Sequence, residues 1–229
     1  MADAPRRLAA EAIGTALLLA AVVGSGIMGD RLSGGNAAIA LLANTLATAA
    51  ALAALILTFG PISGAHFNPA VSIAEATQGG IRWPAVPAYV GAQAAGAVVG
   101  VWIAHVMFGE RLFMLSLQPR NGPAQLVSEF VATFGLLAVI RGCSRRRADA
   151  VAFAVAAYIA AAYWFTASTS FANPAVTLAR ALTDTFAGIR PADVPGFIVA
   201  QLAGATAATL LFRWLDPALP QSARTSSLA

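Results

Sequence analysis

The 229-residue sequence is 59% hydrophobic and only 10% charged, against roughly 45–50% and 25% in soluble globular proteins. A soluble domain could not cover its exterior with so few charges, and the single cysteine, Cys143, excludes a disulfide scaffold. The isoelectric point near 10.2 comes from 14 arginines without any lysine. Because these arginines lie between apolar segments, the composition does not favour a nucleic-acid-binding protein. It indicates a protein that crosses a membrane several times.

Six apolar segments are long enough to cross a bilayer, which takes about 20 residues each. They cover residues 8–28, 38–59, 84–108, 124–141, 149–167 and 194–214. Two further segments, 68–76 and 173–182, are too short to span and begin with Asn-Pro. The pattern predicts an all-α membrane protein with six transmembrane helices and two re-entrant half-helices, in a single domain over residues 1–229.

The arginines predict the orientation, since cytoplasmic loops carry an excess of basic residues. With the N-terminus in the cytoplasm, nine arginines lie on the inner side and five on the outer side. The triplet Arg145-Arg146-Arg147 contributes most to this difference. We therefore expect a multi-pass protein of the cell inner membrane with both termini cytoplasmic. The Ala/Arg-rich composition suits a bacterium with a GC-rich genome.

The chain contains an internal repeat, with three matching pairs of segments in the same order. The pairs are 10–15 with 128–133, 68–71 with 173–176, and 86–96 with 194–204. Since each half, about 8–108 and 124–215, has three spans, the second half enters the membrane from the opposite side. This is an inverted repeat. The two short segments would then meet near the midplane, where non-helical backbone is tolerated only if protein buries it or water lines it.

Each short segment carries a helix-start signal. Asn is a favoured N-cap and Pro is favoured at the first helical position, so Asn68 and Asn173 should begin half-helices that leave the Asn amide donors facing a lumen. The helix N-termini, with about half a positive charge each, would repel cations and accept neutral hydroxylated solutes. The predicted pore motifs are Asn68, Pro69, Ala70, Asn173, Pro174 and Ala175.

The segments SGAHFNPAV (63–71) and FANPAVT (171–177) resemble the two signature loops of the aquaporin (major intrinsic protein) family. The resemblance covers about residues 8–215 and implies one pore per subunit, a homotetramer in the lipid bilayer, and no cofactor or metal ion. It implies that Glu11 and Glu129 support the loop backbones and that His66 lies in the inner vestibule. A proton relay through the glutamates and pH gating by His66 are the alternatives.

The outer constriction departs from the family pattern. Most members have an Arg three residues after the second Asn, whereas this chain has Val176, and family spacing places the other filter positions at Thr48, Ala161 and Ser170. Four small uncharged side chains predict a wide, arginine-free filter. Arg180 lies one turn beyond Val176 on the same helix face. It is either a displaced filter charge or an exposed arginine at the outer mouth.

These features predict a passive channel for small uncharged solutes and water, and the sequence shows no nucleophile–base pair, metal cluster or phosphate loop that would favour an enzyme. With a small residue at this filter position, the chain resembles aquaglyceroporins encoded beside bacterial arsenic-resistance genes. That likeness implies metalloid acids such as arsenite, As(OH)₃, and methylated arsenicals as solutes, in addition to polyols. A general glycerol and water channel is the alternative. A secondary active transporter shares inverted repeats but needs coupling-ion sites, which are not evident.

Overall fold

The computed structural model describes residues 3–215. Within that range the chain forms six long helices and two short ones and no strand. The long helices are α1 (Ala4–Leu32), α2 (Ala37–Ser63), α4 (Val86–Phe108), α5 (Pro123–Ser144), α6 (Val151–Phe165) and α8 (Val194–Leu215), and the short ones are α3 (Pro69–Ala76) and α7 (Pro174–Arg180). Each long helix, with any turn of 3-10 helix before it, is apolar and long enough to cross a membrane. The predicted fold class is confirmed. Arg224, which we counted on the inner side, lies outside the described residues.

The helix packing repeats between the two halves of the chain. Helix α1 packs against α2 and α4, and α5 packs in the same way against α6 and α8. Each short helix contacts a long helix of both halves: α3 touches α4 and α8, and α7 touches α8 and α4. The pairs α2 with α6 and α3 with α7 join the halves. This exchange of equivalent contacts is the arrangement that an inverted repeat produces.

Glycines let two pairs of long helices approach closely. A Cβ added to Gly96 of α4 would overlap the backbone carbonyl of Ala12 in α1, and one added to Gly204 of α8 would overlap that of Phe130 in α5. Such contacts matter in lipid, where burial of apolar surface does not drive helices together and van der Waals packing does. A glycine at the contact thus allows close packing both in the α1–α4 pair and in its repeat, the α5–α8 pair.

The outward faces of the long helices are apolar. Large side chains such as Leu46, Phe153 and Val199 are exposed on the isolated chain. A soluble monomer rarely exposes contiguous apolar surface of this extent, whereas hydrocarbon or a neighbouring apolar helix face accommodates it. Polar side chains are instead concentrated inside the bundle, around the two short helices.

The candidate pore between the two half-helices

Both half-helices begin at an asparagine that caps its own helix. The side-chain oxygen of Asn68 accepts a hydrogen bond from the amide of Ala70 at 2.9 Å. That of Asn173 accepts from the amides of Ala175 at 3.0 Å and Val176 at 3.3 Å. Pro69 and Pro174 follow at the first helical positions, where the missing N–H has no cost. Short-range chemistry thus fixes where each half-helix starts.

The same two asparagines join the half-helices to each other. The side-chain amide of Asn68 donates to the carbonyl of Ala172 at 2.8 Å, and that of Asn173 donates to the carbonyl of Phe67 at 2.7 Å. An asparagine amide has two N–H groups, and this bond uses one of them. The expectation that both face the lumen therefore needs correction. A single N–H of each asparagine is left for the cavity that both residues line.

Glu11 holds the backbone that leads into α3. One carboxylate oxygen accepts from the Ser63 hydroxyl at 2.6 Å and the His66 amide at 3.0 Å. The other accepts from the Phe67 amide at 2.8 Å and from the Gln93 side chain at 2.8 Å. The carboxylate is fully buried and does not line the cavity. With every bond directed at protein groups, this geometry supports a scaffold role and not a proton relay.

Glu129 does the same for the segment before α7. Its oxygens accept from the amides of Phe171 and Ala172, both at 2.9 Å, and from the Gln201 side chain at 2.6 Å. Ser170 and Ala172 adopt left-handed backbone conformations with φ of 51° and 48°, which cost roughly 1–3 kcal/mol each for non-glycine residues. The bonds to the buried carboxylate hold this strained segment in place.

A cavity of about 370 Å³ runs between the two Asn-Pro-Ala motifs. At one end, which we call the α3 end, it is lined by Glu75 and Arg141. At the other, the α7 end, it is lined by Tyr163, Ser170 and Arg180. The loops 109–122 and 182–190, which the structure describes in full, contribute no lining residue. Arg180 is therefore the last residue of α7 that lines the cavity.

Three of the four predicted filter residues lie together at this cavity. Thr48, Ser170 and Val176 are buried and line it near the α7 end. The hydroxyl of Ser170 has no hydrogen-bond partner in the protein. This oxygen is buried, and a buried polar atom without a partner is costly.

The prediction for Ala161 is wrong. Ala161 is exposed on the outward face of α6, whereas Ile159 and Tyr163 line the cavity. A helix turns by about 100° per residue, so a position two residues away lies on the opposite face. The Tyr163 hydroxyl is 3.5 Å from that of Thr48. The family spacing of twelve residues before Asn173 selects Ala161, whereas the tyrosine that faces the cavity lies two residues later.

Arg180 is not an exposed arginine at the outer mouth. It is only 2% exposed, its Nε donates to the carbonyl of Ala187, and its Cζ lies 3.4 Å from the centroid of the Phe171 ring. Its Nη1 has no partner in the protein. Of the two alternatives for Arg180, the exposed arginine is therefore wrong: its guanidinium, one turn beyond the uncharged Val176 on α7, lines the same cavity.

At the α3 end the charges are paired. The guanidinium of Arg141 lies 3.2 Å from the carboxylate of Glu75. Nearby, His66 is half-buried and lines the cavity, with its Nδ1 3.0 Å from the Ser72 hydroxyl and its ring 5.3 Å from that of Tyr89. No cluster of His, Cys, Asp or Glu that could hold a metal ion occurs within residues 3–215. The Glu75–Arg141 pair was not predicted from the sequence, although charges inside apolar spans are a recognised signal of function.

Comparisons with known proteins agree with this architecture. A family model described as Major intrinsic protein matches residues 1–149 and 141–228. The chain is 55% identical over 225 residues to the aquaglyceroporin AqpS of Rhizobium meliloti (strain 1021), which covers 98% of this chain and 96% of that protein. It is 35% identical over 187 residues to aquaporin NIP1-2 of Oryza sativa subsp. japonica, covering 76% of this chain and 61% of that protein.

A solved structure of similar fold is the aquaglyceroporin from Plasmodium falciparum. It superposes with a TM-score of 0.69 over 91% of this chain and 95% of its own, at 20% sequence identity, so this likeness concerns the fold alone. The family match, by contrast, spans nearly every residue. The chain therefore belongs to the major intrinsic protein family of multi-pass membrane channels for small solutes, and it is not an enzyme.

Proposed function

We propose that the chain is a passive channel for small uncharged hydroxylated solutes, among them metalloid acids such as As(OH)₃ and methylated arsenicals as well as polyols. The observation that carries this proposal is the cavity of about 370 Å³ between Asn68 and Asn173, which the polar residues Thr48, Ser170 and Arg180 line at the α7 end. A pore selects by its width, its hydrogen-bonding lining and its fixed charge.

The middle of the cavity offers both donors and acceptors. Asn68 and Asn173 each retain one N–H, and the two half-helix N-termini add partial positive charge. The glutamates bind loop amides of the cavity-lining segments 64–66 and 170–171, which leaves the carbonyl oxygens of these segments as the acceptors that we propose for a solute. A hydroxyl both donates and accepts, and a molecule with several hydroxyls can therefore exchange its water shell for these groups.

The size of the filter side chains supports the passage of solutes larger than water. Three of the filter side chains, those of Thr48, Ser170 and Val176, are small. The fourth is the ring of Tyr163, which occupies the position predicted for Ala161. As(OH)₃ is polyol-like, with three hydroxyls and no charge, and the uncharged Val176 is the feature shared with arsenic-linked members of the family. A general glycerol and water channel is the second candidate. It is favoured by the 55% identity to a protein that is named an aquaglyceroporin.

We further propose a bacterial inner-membrane location, a homotetramer, and cytoplasmic termini, so that the α3 end faces the cytoplasm. The Rhizobium relative supports the location, and the surplus of inner-side arginines supports the orientation. The exposed apolar helix faces provide surface for neighbouring subunits and for lipid.

Proteoliposomes containing the purified full chain test the proposal. Swelling and uptake are measured for water, glycerol, As(OH)₃ and methylated arsenicals with the wild type, Val176→Arg and the uncharged control Val176→Leu. We expect Val176→Arg to reduce flux of the larger solutes by about tenfold or more while water falls much less, and Val176→Leu to have a smaller effect. Equal reductions for all solutes would contradict Val176 as the size filter.

Two further readouts separate the alternatives. Flux of glycerol and water without As(OH)₃ would favour the general channel. Accumulation of any solute against its own gradient, driven by a proton or sodium gradient, would show active transport and contradict passive conduction.

A further inference from the structure

We propose that Arg180 supplies, from one turn farther along α7, the filter charge that Val176 does not carry, and that it makes the pore exclude cations while it donates to hydroxyl oxygens of neutral solutes. The proposal rests on the proposed function, because it concerns the filter of the same pore. It replaces the idea that exclusion of cations depends on the half-helix N-termini alone.

Arg180 is held by contacts that fix its guanidinium. Its Nε is bound to the Ala187 carbonyl, and its planar group lies over the Phe171 ring at 3.4 Å, a cation–π arrangement. The ring itself is fixed, because the Phe171 amide is bound by Glu129 and the ring packs edge-on against Phe197 at 5.3 Å. These contacts use one edge and one face of the guanidinium and leave Nη1 unpartnered.

The guanidinium of Arg180 is in no ion pair within residues 3–215. The Glu129 carboxylate already accepts from three protein donors. A second guanidinium, that of Arg120, lies 5.0 Å from the same Phe171 ring. Its nitrogens are bound to the carbonyls of Gly188 at 2.7 Å and Ser168 at 3.1 Å. Two guanidinium groups, neither of them in an ion pair within residues 3–215, therefore lie at the α7 end beside the buried Glu129 carboxylate.

The position of this charge decides its effect. Arg180 lines the α7 end of the cavity beside Ser170 and Val176, so a solute that crosses this end passes close to its guanidinium. With little water between the solute and the protein, electrostatic repulsion of a cation is screened weakly. A neutral solute meets no such repulsion and can accept a hydrogen bond from the guanidinium that lines this end of the cavity. Arg120 touches the ring and not the cavity, and thus acts as a positioning residue.

Urea and guanidinium make a sharp pair of probes, since they are planar and nearly equal in size and differ in charge. Uptake of each into proteoliposomes is measured for the wild-type chain, for Arg180→Met and Arg180→Gln, which remove the charge, and for Arg180→Lys, which keeps it. The double variant Val176→Arg/Arg180→Met moves the charge one turn along α7. Arg111→Met is the matched control, because Arg111 is an exposed arginine on the same side of the bundle.

We expect the wild type, Arg111→Met and Arg180→Lys to pass urea and to exclude guanidinium by at least about tenfold. The two neutral variants should lower that ratio severalfold, and the double variant should restore it. Arg180→Gln can still donate to the Ala187 carbonyl and so guards against misfolding of Arg180→Met. A wild-type chain that carries guanidinium as readily as urea would overturn the proposal even if no variant folds, as would neutral variants with an unchanged ratio. A chain that carries neither urea nor glycerol contradicts the proposed channel itself.

Discussion

The buried carboxylate of Glu129 provides a stringent test of how the pore is built. Replacing Glu129 by alanine removes the acceptor of three hydrogen bonds, from the Phe171 amide, the Ala172 amide and the Gln201 side chain. The Gln201 amide also donates to the Thr177 hydroxyl at 2.8 Å and therefore keeps a partner. The two backbone amides do not, and they are left buried without an acceptor.

The expected loss follows from these two amides. A buried donor that loses its partner costs about 1–3 kcal/mol, so Glu129→Ala should destabilise the fold by roughly 2–6 kcal/mol. That is a large share of the 5–15 kcal/mol that stabilises an ordinary domain. The left-handed residues Ser170 and Ala172 would also be released from the bonds that hold them. Glu129→Gln keeps one acceptor oxygen and should lose about half as much.

Thermal unfolding of the detergent-solubilised chain measures this loss. For a chain of this size 1 kcal/mol corresponds to roughly 2–4 °C in Tm, so we expect Glu129→Ala to melt about 4–24 °C lower and to conduct glycerol poorly. Glu110→Ala is the control, because Glu110 forms only a partly exposed pair with Arg31 at 2.8 Å, worth about 0–1 kcal/mol. A melting temperature within about 2 °C of wild type, with unchanged flux, would refute the scaffold role.

Further predictions concern packing and the filter. Gly96→Val should push α4 away from the Ala12 carbonyl and lower the melting temperature by several degrees. Gly91→Val is the control and should not lower it, because an added Cβ there meets open space. Equal melting temperatures of the two variants would contradict the close contact of α4 with α1. Tyr163→Ala should raise the flux of glycerol and larger polyols relative to water, because it removes the only ring of the four filter side chains. The matched control is Trp164→Ala on the exposed face of α6, and if both variants have the same flux ratio, Tyr163 does not limit the pore width.

Much of this architecture could be predicted from local sequence. An Asn-Pro pair specifies the start of a helix within three residues, and the structure begins α3 and α7 at Pro69 and Pro174. Hydropathy identified all six spans, but not their ends: α1 runs from Ala4 to Leu32, whereas its apolar segment covers 8–28. Hydropathy measures the stretch that suits hydrocarbon, and a helix continues beyond it into the headgroup region.

The filter was less predictable because its geometry is not local. Helix α6 is apolar on every side, so its sequence does not indicate which face meets the pore, and the position of Tyr163 follows from a connection whose length cannot be assumed. Arg180 presents the same difficulty. Its spacing after Val176 places it near the filter, but its burial depends on the Phe171 ring and on the Ala187 carbonyl, which only the folded chain brings together.

The duplicated and the unduplicated residues have different roles in the pore. Capping asparagines, loop-binding glutamates and close-packed glycines occur in both halves, and they build a scaffold that is nearly the same from either side. The offset of 105 residues that relates Asn68 to Asn173 also relates Glu75 to Arg180, so the two-fold exchanges an acid for a base. Glu75 is paired with Arg141 at 3.2 Å, while Arg180 forms no ion pair among the described residues. The repeat therefore accounts for a passage, and its replacement of Glu75 by Arg180 places the cation of our proposed filter at one end of that passage.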